Sequence, residues 1–282
     1  MKVLWINDFS LAHNRGGAQR SNQLIIDEGL SLGHEIKMFN YDTDRAILNS
    51  PYDVVVSSNL HLFSQQPNAK ELFQYIAQAN YHVRLEHDAN QYLSQEDRKT
   101  IFQSCKKTFF LTQFHYDQFL KMYGDIFTNV EIVPDPIDTS LFFDKKETRQ
   151  NKTLYVGFMH YLKGTENFFN YVLDNPDSQF VMLAWGSDNY EQMSKSLPNV
   201  EYLSPIEYDE MPTTYNKYTD FYYHPVFFEP FCRSVAEALL CGMKVDWNEK
   251  IGSLHQFKEM GRNAFVTACN SAEKTFWSRI TL

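Results

Sequence analysis

Two carboxylates bracket the stretch FEPFCRSVAEALLCG, residues 228–242: Glu229 stands just before the helical pattern and Glu237 one to two turns inside it. The strand-like TDFYYHP precedes it, which puts Glu229 on a loop beyond the carboxyl end of a strand, where open parallel sheets bind ligands. Cys232, Arg233 and Ser234 then open the helix, offering backbone N–H groups and the positive end of its dipole to an anion. This spacing suits a nucleoside diphospho-sugar: one carboxylate for sugar hydroxyls, amides for phosphate, the other carboxylate for ribose hydroxyls. The plainer reading is that Glu229 favours the helix N-terminus electrostatically and Glu237 is merely solvated. Spacing alone leaves both open.

The elements that must position these groups alternate along the chain. KVLWIND reads as a strand, a glycine pair (Gly16, Gly17) follows, and SNQLIIDEGLSLG reads as a helix stopped by Gly33. HEIKMFNY, YDVVVSSN, HVRLEHD and KKTFFLT are further strands, with AKELFQYIAQAN a helix between them. VPDPIDTSLF then breaks the pattern, because Pro134 and Pro136 continue neither a helix nor a central strand. With the polar run DKKETRQNK it marks a boundary over 134–151. The second half repeats the alternation: TLYVGF, GTENFFNYVLDN, QFVMLAWG, TDFYYHP, SVAEALLCG, MKVDWN. The pattern predicts an α/β chain of two Rossmann-like parallel-sheet domains facing a cleft. They span 1–140 and 141–268, and a C-terminal helix within 269–282 packs back toward the first.

The bulk composition narrows the class. A net charge of −9 argues against a protein that coats nucleic acid, though Arg15, Arg20, Lys163 and Arg233 could still converge in a local basic groove. No apolar run reaches the ~18–20 residues that span a bilayer, and MKVLWINDFS carries neither a basic n-region nor a cleavage site. The four cysteines are widely spaced, without CxxC or a Cys/His rhythm, as in reduced thiols of a cytoplasmic protein. Free use of Asn, Lys, Tyr, Phe and Ile has the flavour of an AT-rich genome, phage or bacterial.

EPFCRSVAEALLCGMKV resembles the Glu-x7-Glu segment of retaining GT-B glycosyltransferases, in particular glycosyltransferase family 4. Other segments agree in order. RGGAQRS resembles the family's N-terminal Gly-Gly loop, VPDPIDTSLF its interdomain segment, and YVGFMHYLKG its "V-G-R-L-x-x-x-K-G". IGSLHQF and GRNAFV resemble the loop and strand that close the C-terminal domain. The resemblance covers nearly the whole chain and implies transfer of a sugar from a UDP- or GDP-sugar to a hydroxyl acceptor. It further implies retention of configuration, no required metal, and no cofactor beyond the nucleotide-sugar co-substrate.

Carried over by position, the resemblance puts Glu229 on the donor sugar, Glu237 on the ribose and Lys163 on the diphosphate, with Gly16 and Gly17 allowing close backbone approach. His87 stands where the family carries a histidine near the donor sugar, with Asp88 to orient it; a structural histidine capping its strand reads equally well. The chain departs from the pattern in three places. Phe158 replaces an arginine after V-G, which removes a phosphate cation that Arg233 could restore. Cys232 replaces a glycine, and Lys244-Val245 replaces P-V.

On the acceptor side, Asn7 and Asp8 end the first strand, either as acceptor contacts or as first-turn caps. The resemblance leaves the acceptor unidentified, with a glycan such as a cell-surface polysaccharide, a small molecule and modified DNA all open. For a flipped-out hydroxymethylated base, Arg15, Arg20 and Arg84 are candidates on the rim of the N-terminal domain. SNQLIIDEGLSLG is not basic, unlike the helices of lipid-facing members, yet peripheral membrane contact stays open. No obligate protein partner is visible. Two competitors remain: a metal-dependent GT-A transferase using Asp42-Thr43-Asp44, disfavoured by the other motifs, and a non-catalytic nucleotide-sugar-binding protein.

Overall fold

Residues 1–89 and 92–280 are described by the computed structural model. Within them the strands form two fully parallel sheets, each in its own compact unit. The last two positions of the expected 269–282 segment lie outside the described residues.

The first unit comprises Met1–Pro136 and Ala268–Leu282. It runs β1 (Lys2–Ile6), α1 (Gly17–Ser31), β2 (Glu35–Phe39), β3 (Val54–Ser57), α2 (His61–Ser64), α3 (Ala69–Ala77) and β4 (His82–Leu85). It continues with α4 (Gln95–Ser104), β5 (Lys107–Phe110), α5 (Gln113–Tyr123) and β6 (Val130–Ile132), in sheet order β2-β1-β3-β4-β5-β6. The apolar runs of β1 and β3 are buried on both faces, which is why they lack the alternation of a half-exposed strand.

The second unit, Ile137–Thr267, runs β7 (Gln150–Met159), α6 (Thr165–Asp174), β8 (Phe180–Gly186), α7 (Asp188–Ser196), β9 (Val200–Leu203) and α8 (Met211–Lys217). Then come β10 (Tyr218–Tyr223), α9 (Arg233–Leu240), β11 (Lys244–Trp247) and α10 (Gly252–Asn270), whose end from Ala268 on belongs to the first unit, in sheet order β11-β10-β7-β8-β9.

The final helix α11 (Ala272–Ser278) belongs to the first unit. Trp277 Nε1 donates to the Ile25 carbonyl at 2.7 Å, and the Phe276 and Trp277 rings sit 5.8 and 6.4 Å from that of Trp5. Gly29 of α1 makes room for this contact: any side chain there collides with the Trp277 indole. Among the described residues no helix is long and apolar enough to cross a membrane.

One sequence expectation is corrected here. GRNAFV, expected as a closing strand, falls within α10, as does IGSLHQF, expected as a loop, from Gly252 onward, while Ile251 bridges Glu229. The helix breaks at Gly261 (φ 76°, ψ 163°) and resumes with Phe265 and Cys269 fully buried one turn apart. Among the described residues β11 is an edge strand of its sheet, and GRNAFV does not pair with it.

Candidate functional site

The order of the second sheet reverses between β7 and β10, which lie side by side although β8 and β9 come between them in sequence. Such a switch point opens a crevice at the carboxyl ends of the two strands. Lys163 follows β7 and Glu229 follows β10, and they meet there: Lys163 Nζ donates to Oε1 and Oε2 of Glu229 at 2.8 and 3.0 Å.

The local sequence explains this meeting. Gly164 adopts a left-handed conformation (φ 77°, ψ 26°), and a Cβ there would strike the His224 carbonyl. Val226 N–H bonds the Leu162 carbonyl at 3.0 Å, so the Lys-Gly turn and the loop after β10 are laced together through their backbones. Glu229 is clamped by its own backbone, its N–H donating to Lys250 (2.7 Å) and its carbonyl accepting from Gly252 (2.9 Å). The Tyr223 hydroxyl adds a bond to Oε1 at 3.2 Å. The Glu229 side chain is 13% exposed and that of Lys163 42%, a carboxylate set in the wall with a cation standing over it.

Glu237 sits one helix turn deeper and is 4% exposed. Tyr208 donates to its Oε1 at 2.9 Å, Tyr215 to its Oε2 at 3.3 Å, and Arg233 lies 3.5 Å from Oε1. Sequence reasoning did not single out either tyrosine, because only folding brings them to Glu237. Arg233 also donates to the Tyr208 hydroxyl at 2.9 Å, so its guanidinium lies along its own helix toward Glu237.

Cys232 caps α9 in a left-handed conformation (φ 70°, ψ 84°), where a glycine sits without strain. Burial, reinforced by Glu229, pushes its thiol up to about 12, so it is a neutral space-filler beside the Ser234 hydroxyl at 3.5 Å. Phe158 ends β7 beside Trp185 of β8; both rings are nearly half exposed, with centroids 6.3 Å apart. An aromatic step thus stands where the motif led one to expect a phosphate cation.

In the first unit Asn59 links two of the candidates, its carbonyl accepting from Asp8 N–H at 2.8 Å and its amide donating to Asp88. Asp8 accepts from Leu62 N–H (3.1 Å) and Phe63 N–H (3.4 Å), capping α2 rather than the first helix; burial pushes its carboxyl up to about 6. Asn7 is buried and donates to the Phe9 carbonyl. His87 is buried with both ring nitrogens facing side chains, Nε2 at 3.1 Å from Asn22 Oδ1 and Nδ1 at 3.5 Å from Asp135 Oδ1. Asp88 receives a hydrogen bond from Asn59. Gly16 is the cap of α1 and Gly17 its first residue, and neither has a positive φ.

Arg84 requires a correction. Expected on an exposed rim, it is fully buried and bonded to Glu86 at 2.8 Å, with a further bond to the Ser58 carbonyl. Its position on β4 puts it inside the sheet's packing, out of reach of any acceptor. In the Asp42-Thr43-Asp44 triplet, Asp44 caps a single 3-10 turn through Ala46 N–H (2.9 Å) and Asp42 pairs with His13 (3.3 Å).

The two parallel-sheet units define the fold shared by GT-B glycosyltransferases. A sucrose-phosphate synthase from Thermosynechococcus elongatus matches over 99% of this chain and 90% of its own, with TM-score 0.71 and 13% identity. HepE of Anabaena, solved with UDP and glucose, matches over 99% and 95% with TM-score 0.66 and 13% identity. An alpha-glucosyltransferase solved with UDP and a 13-mer DNA containing an HMU base matches over 98% and 95% with TM-score 0.64 and 12% identity. No protein-family model matches the chain, and no curated protein matches it.

Proposed function

We propose that this chain is a glycosyltransferase that moves a sugar from a nucleoside diphospho-sugar to a hydroxyl acceptor, with retention of configuration and without a required metal. The observation that carries the reading is Lys163 held on both oxygens of Glu229 at the β7/β10 switch point. There Glu229 takes donor-sugar hydroxyls, while Lys163 and the first amides of α9 face the diphosphate. As the glycosidic bond breaks, negative charge grows on the leaving phosphate, and a fixed cation and fixed N–H dipoles stabilise that charge more than they stabilise the bound ground state. The match to structures solved with UDP supports this reading.

Incubation with a panel of labelled UDP-, GDP- and ADP-sugars tests it. Release of nucleoside diphosphate by wild type, persisting in EDTA and lost in Lys163→Ala, is the expected result. A protein that binds these donors but never turns them over is the non-catalytic binder instead.

A second reading has DNA as acceptor, supported by the similarity to the alpha-glucosyltransferase solved with DNA. It keeps Arg15 and Arg20 as candidate phosphate contacts, while the burial of Arg84 and the net charge of −9 weigh against it. Glucosylation of an oligonucleotide containing hydroxymethylated bases, with no transfer to oligosaccharides, would select it.

A further inference from the structure

Both oxygens of Glu237 are taken by tyrosine hydroxyls, and the two tyrosines differ in kind. Tyr215 is fully buried and bonds at 3.3 Å, an anchor built into α8. Tyr208 bonds at 2.9 Å from a half-buried position, flanked by exposed Glu207 and Asp209, on the segment that follows β9. Its phenol donates a hydrogen bond to Glu237 Oε1 and accepts one from Arg233 Nη2, both at 2.9 Å. A hydroxyl that donates to a carboxylate while accepting from a guanidinium forms the bonds a ribose hydroxyl would form in the same place.

We propose that the Tyr208 phenol is a tethered stand-in for a ligand hydroxyl, holding Glu237 and Arg233 in their binding arrangement and withdrawing when a nucleotide's ribose takes its place. The inference rests on the nucleotide-sugar reading and adds a built-in competitor to it. The turn that carries Tyr208 is suited to the exchange. It is a single 3-10 turn, Tyr208–Glu210, closed by a reciprocal capping box between Glu207 and Glu210. The Tyr208 ring packs against Phe142 at 5.2 Å, and withdrawal carries ring and hydroxyl together away from Glu237. Without the stand-in, a carboxylate and a guanidinium 3.5 Å apart would lie exposed to water at the site, and Arg233 would be free to leave Glu237.

Removing the competing hydroxyl then strengthens nucleotide binding, whereas removing a purely structural bond leaves it unchanged or weaker. Calorimetric titration of UDP and GDP into the full chain compares wild type, Tyr208→Phe, Glu237→Gln and the double variant, with thermal unfolding recorded for each. Tyr208→Phe is expected to bind about tenfold tighter, a factor worth about 1.4 kcal/mol, and to melt lower without nucleotide. The gain should vanish on the Glu237→Gln background, because the two groups act as one unit. Tyr208→Leu serves as a second variant with the same expected direction. Wild type binding nucleotide while both Tyr208 variants bind equally or more weakly would overturn the stand-in alone. Absence of nucleotide binding in all variants would overturn the nucleotide-sugar reading and the stand-in with it.

Discussion

Lys163 Nζ bridges both carboxylate oxygens of Glu229, at 2.8 and 3.0 Å, across 66 residues of sequence. The pair stands at the carboxyl ends of β7 and β10 and joins the group that the resemblance puts on the donor sugar to the one it puts on the diphosphate.

Because the Lys163 side chain is 42% exposed, the bridge contributes little to stability, within about 1 kcal/mol. Its effect on turnover should be far larger. Lys163→Ala and Glu229→Gln are expected to keep the melting temperature within a few degrees of wild type while lowering kcat about 10²–10³-fold, as for loss of a transition-state charge contact. Parallel thermal melts and nucleotide-release assays check both halves.

Arg84 predicts the reverse. Its ion pair with Glu86 is fully buried, and leaving one partner alone there costs about 3–5 kcal/mol. Arg84→Met should unfold at much lower denaturant, and Arg84→Met with Glu86→Leu should regain much of the loss. Urea titrations followed by circular dichroism decide this.

The packing of α11 on α1 gives a third test. Trp277→Ala removes a buried indole and its bond to Ile25, at a cost of about 3–5 kcal/mol. Gly29→Ala should destabilise as well, since its methyl group meets the same indole. Denaturant midpoints of both variants check the contact.

Two buried groups give the stability opposite pH dependences. Burial pushes His82 down to about 3 from 6.5, so the unfolded chain binds a proton between those values that the folded chain refuses. Stability should therefore fall on acidification below pH 6.5, by about 1.4 kcal/mol per pH unit for this histidine. Asp8 is raised from 3.8 to about 6, so the folded chain holds its proton longer. Its stabilising contribution is full below pH 3.8 and is lost as pH rises through 6. Asp8→Asn keeps the cap on α2 without ionising and should gain stability over wild type at pH 7 but not at pH 3.5. Chemical denaturation across pH 3.5–7.5 separates the two.

Much of the fold was legible in the residues. VVV of β3 and VLWI of β1 are continuous apolar runs because both faces of their sheet are covered. The Glu-x7-Glu segment fell on the loop and helix expected for it, since the strand before it and the helix pattern after it are strong. Other features left a fainter trace. β6 and β9 are short and half-exposed, with no apolar run to announce them. The strand expected for GRNAFV rests on the resemblance alone; of its six residues only Phe265 and Val266 favour a strand, and it lies in α10. Arg84 looked like a surface cation because two charged residues in RLEHD read as solvated, although their i, i+2 spacing puts Arg84 and Glu86 on one face. Tyr208 and Tyr215 lie 29 and 22 residues before Glu237, and only folding brings them to it.

The central claim is that a sugar–diphosphate seats against Lys163 and the start of α9, with Glu229 on its sugar. Crystals grown with a non-hydrolysable UDP-sugar test it most directly. The account predicts density for the diphosphate within hydrogen-bond distance of Lys163 and the Arg233–Ser234 amides, with the Lys163–Glu229 bridge opened or lengthened. Density for the compound elsewhere, with that bridge undisturbed, would contradict it.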